Sequence, residues 1–390
     1  MKYWIRCLRC LHDSGRMRYA EFGKKQIQCI VLVLISSIAT IMFPNLVCGL
    51  VFIKGSDLCL YLFKMGRQYM RVIILDTGID RVLNEKTILG GVNLVTPGGD
   101  FDDDNGHGSL CSSIIKLYGH SLPYWFVIKI LNARNESSTE KLIEALDYTK
   151  RIGIRLINLS LSTLDEEMVD RLSKSISELR DYGKIIVASA PNSGKVGYPA
   201  SLENVIGVDG GIFSNQREYW YNKNYSIQCV ANRIPVMVKG CKGEIQMFGG
   251  TSKATAVVTA IIGDILEEYP NISYEELQNM LMDSAKKKTW NREEIAGVSQ
   301  YITKRTGVNS DEEQMIEEVV VKYLRGKGML FDLNNLREWG YQGVLHGNDF
   351  MKVLNALEKK FNIRLPYYEG IDYRVFENAN SLKKFLKLFV

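Results

Sequence analysis

The stretch RVIILDTGID, Arg71 to Asp80, decides the fold. Val72, Ile73, Ile74 and Leu75 follow one another with no polar residue between them. A strand with one wet face would alternate, so this run reads as a strand buried on both faces, the signature of a parallel sheet covered by helices. Asp76 stands where the apolar run stops, and Gly78 supplies a turn. Working outward, FVIKIL (126–131), IRLINLSL (154–161), KIIVASA (184–190) and NVIGV (204–208) repeat the pattern. Between them, STEKLIEALDYTKRIG (138–153) and DEEMVDRLSKSISELRDYG (165–183) carry apolar residues at helical spacing with a glycine at the end. Strand and helix in alternation predict a three-layer α/β domain with right-handed crossovers.

In such sheets, functional groups gather where strand carboxyl ends meet helix amino ends. Asp76 follows its strand, and Asn192 follows IIVASAP. His107 opens an apolar helical run in DDDNGHGSLCSSII (102–115), and Ser252 opens another in GGTSKATAVVTAIIGDIL (249–266). A serine, a histidine, a carboxylate and an amide are the four parts that acyl transfer needs: nucleophile, base, orienter of the base and oxyanion donor.

These segments resemble the four motifs of the subtilisin-like serine proteases, the subtilases, in the family's order of Asp, His, Asn and Ser. The resemblance implies a subtilisin-like fold, with Asp76 orienting the imidazole, His107 as base then acid, Ser252 as nucleophile and Asn192 as oxyanion donor. VIKILNARNESSTEKLIEALDYTKRIGIRLINLSLS (127–162) is similar to the family's substrate-lining region. It implies that Leu159, Ser160 and Leu161 pair with an extended peptide and help line the specificity pocket. Pro191, Thr255 and Ala256, and the SLCSS that follows His107, depart from the family's usual residues. Signal, inhibitory propeptide and calcium-binding N-terminal segments of secreted subtilases find no counterpart before Arg71, so calcium dependence does not carry over and an intracellular enzyme is expected. The expected function is a serine endopeptidase, with a processing protease for one dedicated peptide precursor as its specific form. The competing expectation is a catalytically impaired subtilase fold that binds peptides.

With 46% hydrophobic and 24% charged residues, the composition is that of a globular protein. A net charge of +5 over 390 residues, with no basic stripe interleaved with aromatics, points away from nucleic acid. Of eight cysteines, five precede residue 60, and the three that remain do not suggest a disulfide framework. Cys7 and Cys10 lack a second ligand pair at zinc spacing, and neither metal nor cofactor is assigned. Cys111 reads as a small buried residue, and His120 and His346 as solvated.

Residues 1–26 form a basic segment, and residues 27–53 carry no charge, long enough for a transmembrane helix. The alternative is that translation begins at Met65 or Met70, leaving the span outside the mature protein. The expected location is accordingly membrane-associated through one span, or otherwise cytoplasmic.

The expected divisions are a peptidase domain over 68–288, linker helices over 289–327 and an all-α unit over 328–390. Within the first, Ser273 and Glu276 stand at capping-box spacing. VLNALEKKFNIRLP (353–366) is similar to a helix of acyl or peptidyl carrier proteins. The carrier motif's serine would fall at His346, Gly347 and Asn348, so no hydroxyl is available for phosphopantetheine. That implies a surface for docking a protein partner. A plain helical extension, with Val353, Leu354, Leu357, Phe361 and Leu365 as its core, is the alternative.

Overall fold

The computed structural model describes residues 50–54, 57–61, 69–297, 310–331, 341 and 344–389. They fall in two units, Met1–Gln68 and Tyr69–Val390. In the first, β1 (Leu50–Lys54) and β2 (Asp57–Tyr61) pair antiparallel, Val51 opposite Leu60. Residues 27–49 of the expected span lie outside the described residues. Its end, Leu50 to Ile53, is strand and not helix. The sequence gives the reason: Val51, Phe52 and Ile53 favour a pleated surface, and Gly55-Ser56 separates them from a second short run, a hairpin signal. Among the described residues no helix is long and apolar enough to cross a membrane.

The second unit is built on an eight-stranded sheet. Its strands in chain order are β3 (Arg71–Asp76), β4 (Ile88–Asn93), β5 (Tyr124–Lys129), β6 (Leu156–Leu159), β7 (Ile185–Ser189), β8 (Val205–Gly211), β9 (Tyr219–Tyr221) and β10 (Cys229–Asn232). Their order across the sheet is β4-β5-β3-β6-β7-β8-β10-β9. All neighbours are parallel except β9, which runs antiparallel on the edge. The order reverses at β3, which lies between β5 and β6 and so opens a crevice at its carboxyl end.

The unbroken apolar run of β3 is shared between two cores. Val72 and Ile74 pack with Ile114 and Ile115 of α1 (His107–Tyr118), whereas Ile73 and Leu75 pack with Leu142 and Leu146 of α2 (Thr139–Thr149) and Leu172 and Ile176 of α3 (Val169–Asp181). A further long helix, α4 (Gly250–Glu268), buries Ala254, Val257, Val258 and Ile261 against the face that holds α1. The result is the expected three-layer α/β arrangement. α5 (Tyr274–Ser284) begins with the expected capping box, both reciprocal bonds between Ser273 and Glu276 being present.

The hairpin β11 (Val236–Lys239) and β12 (Ile245–Phe248) stands apart from the large sheet and has two apolar faces. Val236, Val238 and Phe248 enter the core beneath α1 and α4. Met237, Ile245 and Met247 enter a third core. That core is made by α6 (Asp311–Gly326), α7 (Asp349–Phe361) and α8 (Ala379–Leu386), through residues such as Ile316, Val320, Leu354, Leu357 and Leu382. It therefore reaches back across residue 328, the boundary the sequence suggested, to include α6 and the hairpin. Val353, Leu354, Leu357 and Leu365 are buried in it and Phe361 is packed against it.

Candidate active site

The three carboxylates that precede His107 have different partners. Asp102 meets Arg81 at the surface, and Asp104 meets the Lys129 ammonium at 2.9 Å. Asp103 turns inward. Its Oδ1 accepts from the backbone N–H of Gly106 at 2.7 Å and from the Thr77 hydroxyl at 2.8 Å. Its Oδ2 accepts from the N–H and hydroxyl of Ser109 at 2.8 and 2.7 Å. Burial would raise its pKa, but these donors outweigh it and hold the carboxyl below its ordinary value. Gly106, the residue before α1, has no side chain to cap the helix, so Asp103 satisfies the free N–H groups instead.

Asp103 and Thr77 bring the start of α1 against the end of β3. Gly108 N–H donates to the Thr77 hydroxyl at 3.0 Å, and a Cβ at position 108 would lie 2.1 Å from the Gly78 carbonyl oxygen. The close approach places His107 Nδ1 2.7 Å from Asp76 Oδ1, which also accepts from Thr77 N–H at 2.8 Å. Asp76 is fully buried, and its Oδ2 has no hydrogen-bond partner among the described residues. The Phe248 ring meets the imidazole edge-on, centroids 5.6 Å apart. Cys111, one turn along α1, puts its sulfur 3.8 Å from Nδ1. Burial opposes protonation of His107, but the adjacent Asp76 carboxylate prevails and lifts the imidazole well above its usual pKa. Burial pushes the Cys111 thiol up.

Asp76, His107 and Cys111 have potential metal-ligating atoms within 4.8 Å of one another. The 2.7 Å contact between Asp76 Oδ1 and His107 Nδ1 is a hydrogen bond.

Ser252 lies in the first turn of α4. Gly250, at φ +81°, makes the bend into that turn, and a Cβ there would sit 3.1 Å from Asn192 Oδ1. Asn192, exposed just beyond β7, accepts from Thr251 N–H through Oδ1 at 3.1 Å. Its Nδ2 is thereby left for the cleft. Ser252 Oγ donates to the Ser160 carbonyl at 3.3 Å, and Ser160 Oγ donates back to the Ser252 carbonyl at 3.3 Å. No hydrogen bond joins Ser252 to His107 among the described residues. Thr255 turns its hydroxyl to the Thr251 carbonyl at 2.8 Å, and Pro191 packs so tightly on Gly197 that a Cβ there would meet it at 2.2 Å.

His107, Ser160, Leu161, Asn192 and Ser252 line one cleft of about 360 Å³. Leu159 does not line it, since its side chain is buried in the core under α2 and α3. Sequence reasoning missed several supporting residues. Fully buried Asn158 donates to Ser160 Oγ at 3.1 Å and accepts from Thr259 at 2.8 Å, a polar residue in an apolar strand that could have been noticed. Asp103 is one of three successive acids, and the sequence alone does not single it out as the one that accepts from the N–H groups of Gly106 and Ser109. Phe248 carried no signal. His120 is a surface residue, 3.2 Å from Asp264.

An imidazole held by a buried carboxylate, with a serine and an amide in the same cleft, is the arrangement of the serine hydrolases. The model of the subtilase family matches residues 69–302, and the chain belongs to that family, the subtilisin-like serine endopeptidases. It is 26% identical over 236 residues to subtilisin DY of Bacillus licheniformis, covering 55% of this chain and 83% of that protein. It is 24% identical over 226 residues to subtilisin Savinase of Lederbergia lenta, with the same coverage of 55% and 83%. Among solved structures, that of a cold adapted subtilisin-like serine proteinase aligns at a TM-score of 0.48 and 18% identity, over 63% of this chain and 96% of that one.

Proposed function

We propose that the chain hydrolyses peptide bonds with Ser252 as nucleophile, His107 as general base and then acid, Asp76 as orienter and Asn192 as oxyanion donor. The observation that carries this reading is the 2.7 Å contact between buried Asp76 and His107 Nδ1. It fixes the proton on Nδ1 and leaves Nε2 free to accept. Ser252 Oγ reaches Nε2 by rotating away from the Ser160 carbonyl as substrate enters. The carbonyl of Ser160 is then released to an extended peptide laid along Ser160 and Leu161. Negative charge that develops on the substrate oxygen meets Asn192 Nδ2, whose amide is already oriented by Thr251 N–H, so little reorganisation is needed.

Within this reading, processing of one dedicated peptide precursor is the finer proposal, with general turnover equally open to it. The second reading, a peptide-binding fold without catalysis, is favoured by one observation: Ser252 is bonded to Ser160 and not to His107. A fluorophosphonate separates the two. The catalytic reading expects covalent labelling at Ser252 that is lost in His107→Ala. Absence of labelling in the wild-type chain supports the binding module.

A further inference from the structure

Next to Ser252, the first turn of α4 holds Lys253, whose side chain is fully buried. A buried ammonium needs donors satisfied and a counter-charge. Lys253 Nζ donates to Gln216 Oε1 and, at 3.0 Å, to the Asn232 carbonyl at the end of β10. It lies 5.6 Å from the Tyr118 ring centroid. It has no direct ion pair among the described residues. The acid comes one step further on: Gln216 Nε2 donates to Asp372 Oδ2 at 2.6 Å. The titratable groups that face Lys253 are thus Tyr118 from α1 and Asp372 and Arg374 from the C-terminal segment, with neutral Gln216 and Asn232 between. Burial pulls the ammonium down to about 7, Asp372 works to restore it and Arg374 works against it.

Asp372 is itself anchored twice. Arg374 holds its carboxylate at 3.0 and 2.8 Å. The backbone around it extends the free edge of β11: Gly370 N–H donates to the Met237 carbonyl at 2.7 Å, Met237 N–H to Ile371 at 2.9 Å and Tyr373 N–H to Pro235 at 2.9 Å.

We propose that Asp372, Gln216 and Lys253 form a positioning relay through which the C-terminal segment fixes the first turn of α4, and with it Ser252. The chemistry is directional. A carboxylate only accepts, so Asp372 forces the Gln216 amide to present nitrogen to it and oxygen to Lys253. An oriented carbonyl at Lys253 keeps the ammonium in place, and the ammonium tethers the turn to the Asn232 carbonyl. An asparagine at position 372 can present either face of its amide and removes the counter-charge. The inference rests on the role of Ser252 proposed above, because it concerns the placement of that hydroxyl.

The test is a double-mutant cycle in the full-length protein, with kcat, KM and the rate of fluorophosphonate labelling measured for wild type, D372N, K253M and D372N/K253M. Methionine is unbranched like lysine, one atom shorter, and needs no counter-charge. The relay expects D372N to lower kcat and the labelling rate about tenfold at little change in KM, and by less than about twofold in the K253M background, a coupling of the size found within one polar network. Equal losses in both backgrounds, or none in either, overturn it, and melting temperatures of the four proteins show whether a loss is one of folding alone. A wild-type chain that does not label at Ser252 removes the catalytic reading and the relay together, which distinguishes the two failures.

Discussion

The helices that carry His107 and Ser252 begin in opposite ways. The start of α1 is held largely from within its own segment: Asp103 binds Gly106 and Ser109 in a web whose charged centre lies four residues before the histidine, joined by Thr77 from just beyond β3. That of α4 has no capping side chain. It depends on Gly250 in a left-handed conformation, on Asn192 and on a lysine whose partners are Gln216, Asn232 and, beyond them, Asp372. The proposed base is placed by its own turn and by the end of β3, and the proposed nucleophile by segments as distant as Asp372. The second should be the more sensitive to changes elsewhere.

The largest effect should come from Asn192→Ala, which removes the proposed oxyanion donor and the acceptor for Thr251 N–H at once. We expect kcat to fall by about 100- to 1000-fold with KM nearly unchanged. An equal rise in KM would assign Asn192 to ground-state binding. Next, Asp103→Ala should destabilise the fold by about 3 kcal/mol, because several buried donors lose their acceptor together. Urea denaturation measures it, and a loss below about 1 kcal/mol would show that water replaces the carboxylate.

How far each half of the site could be read from sequence follows the same division. Four unalternating residues of β3 announced a buried parallel strand, and Asp76, His107, Asn192 and Ser252 were visible because each stands at the end of an element. Ser273 and Glu276 were legible for the same reason, three residues apart on one turn. Leu159 was assigned to the cleft wall with its neighbours, but strand alternation sends its side chain to the core. Lys253 carries no signal within GGTSKATAVVTA, since Gln216 and Asp372 come from distant segments. Leu50 to Ile53 read as the end of a membrane helix because hydropathy does not distinguish a long span from apolar residues that pair in a hairpin.

A smaller and sharper test uses pH. The Asp76 carboxylate lifts the His107 pKa well above the imidazole's usual value, so the neutral base is regained only at higher pH. The kcat/KM profile should rise with a midpoint above about 6.5, the ordinary histidine value. Stability contributed by the charged pair is fully present below that ordinary value and fades as pH climbs through the lifted pKa, so it declines as activity appears. A midpoint at or below about 6.5 would mean that burial outweighs Asp76. The smallest effect belongs to a control remote from both helix starts, Ser273→Ala. It removes the capping box of α5 at a cost of about 1 kcal/mol and should leave kcat unchanged. A drop in kcat would extend the sensitivity of α4 to the helix that follows it.

The two-faced hairpin of β11 and β12 also sets a timetable. A ribosome delivers the chain from its amino end, so Val236 to Lys239 emerge long before Gly370 to Tyr373, the residues that complete their outer edge. At ordinary synthesis rates the wait between residues 237 and 373 is on the order of ten seconds. During it, Met237, Ile245 and Met247 have no third core to enter, and Lys253 has no carboxylate behind Gln216. The start of α4, and with it the cleft, would then stay unfinished until the segment around Asp372 has been made.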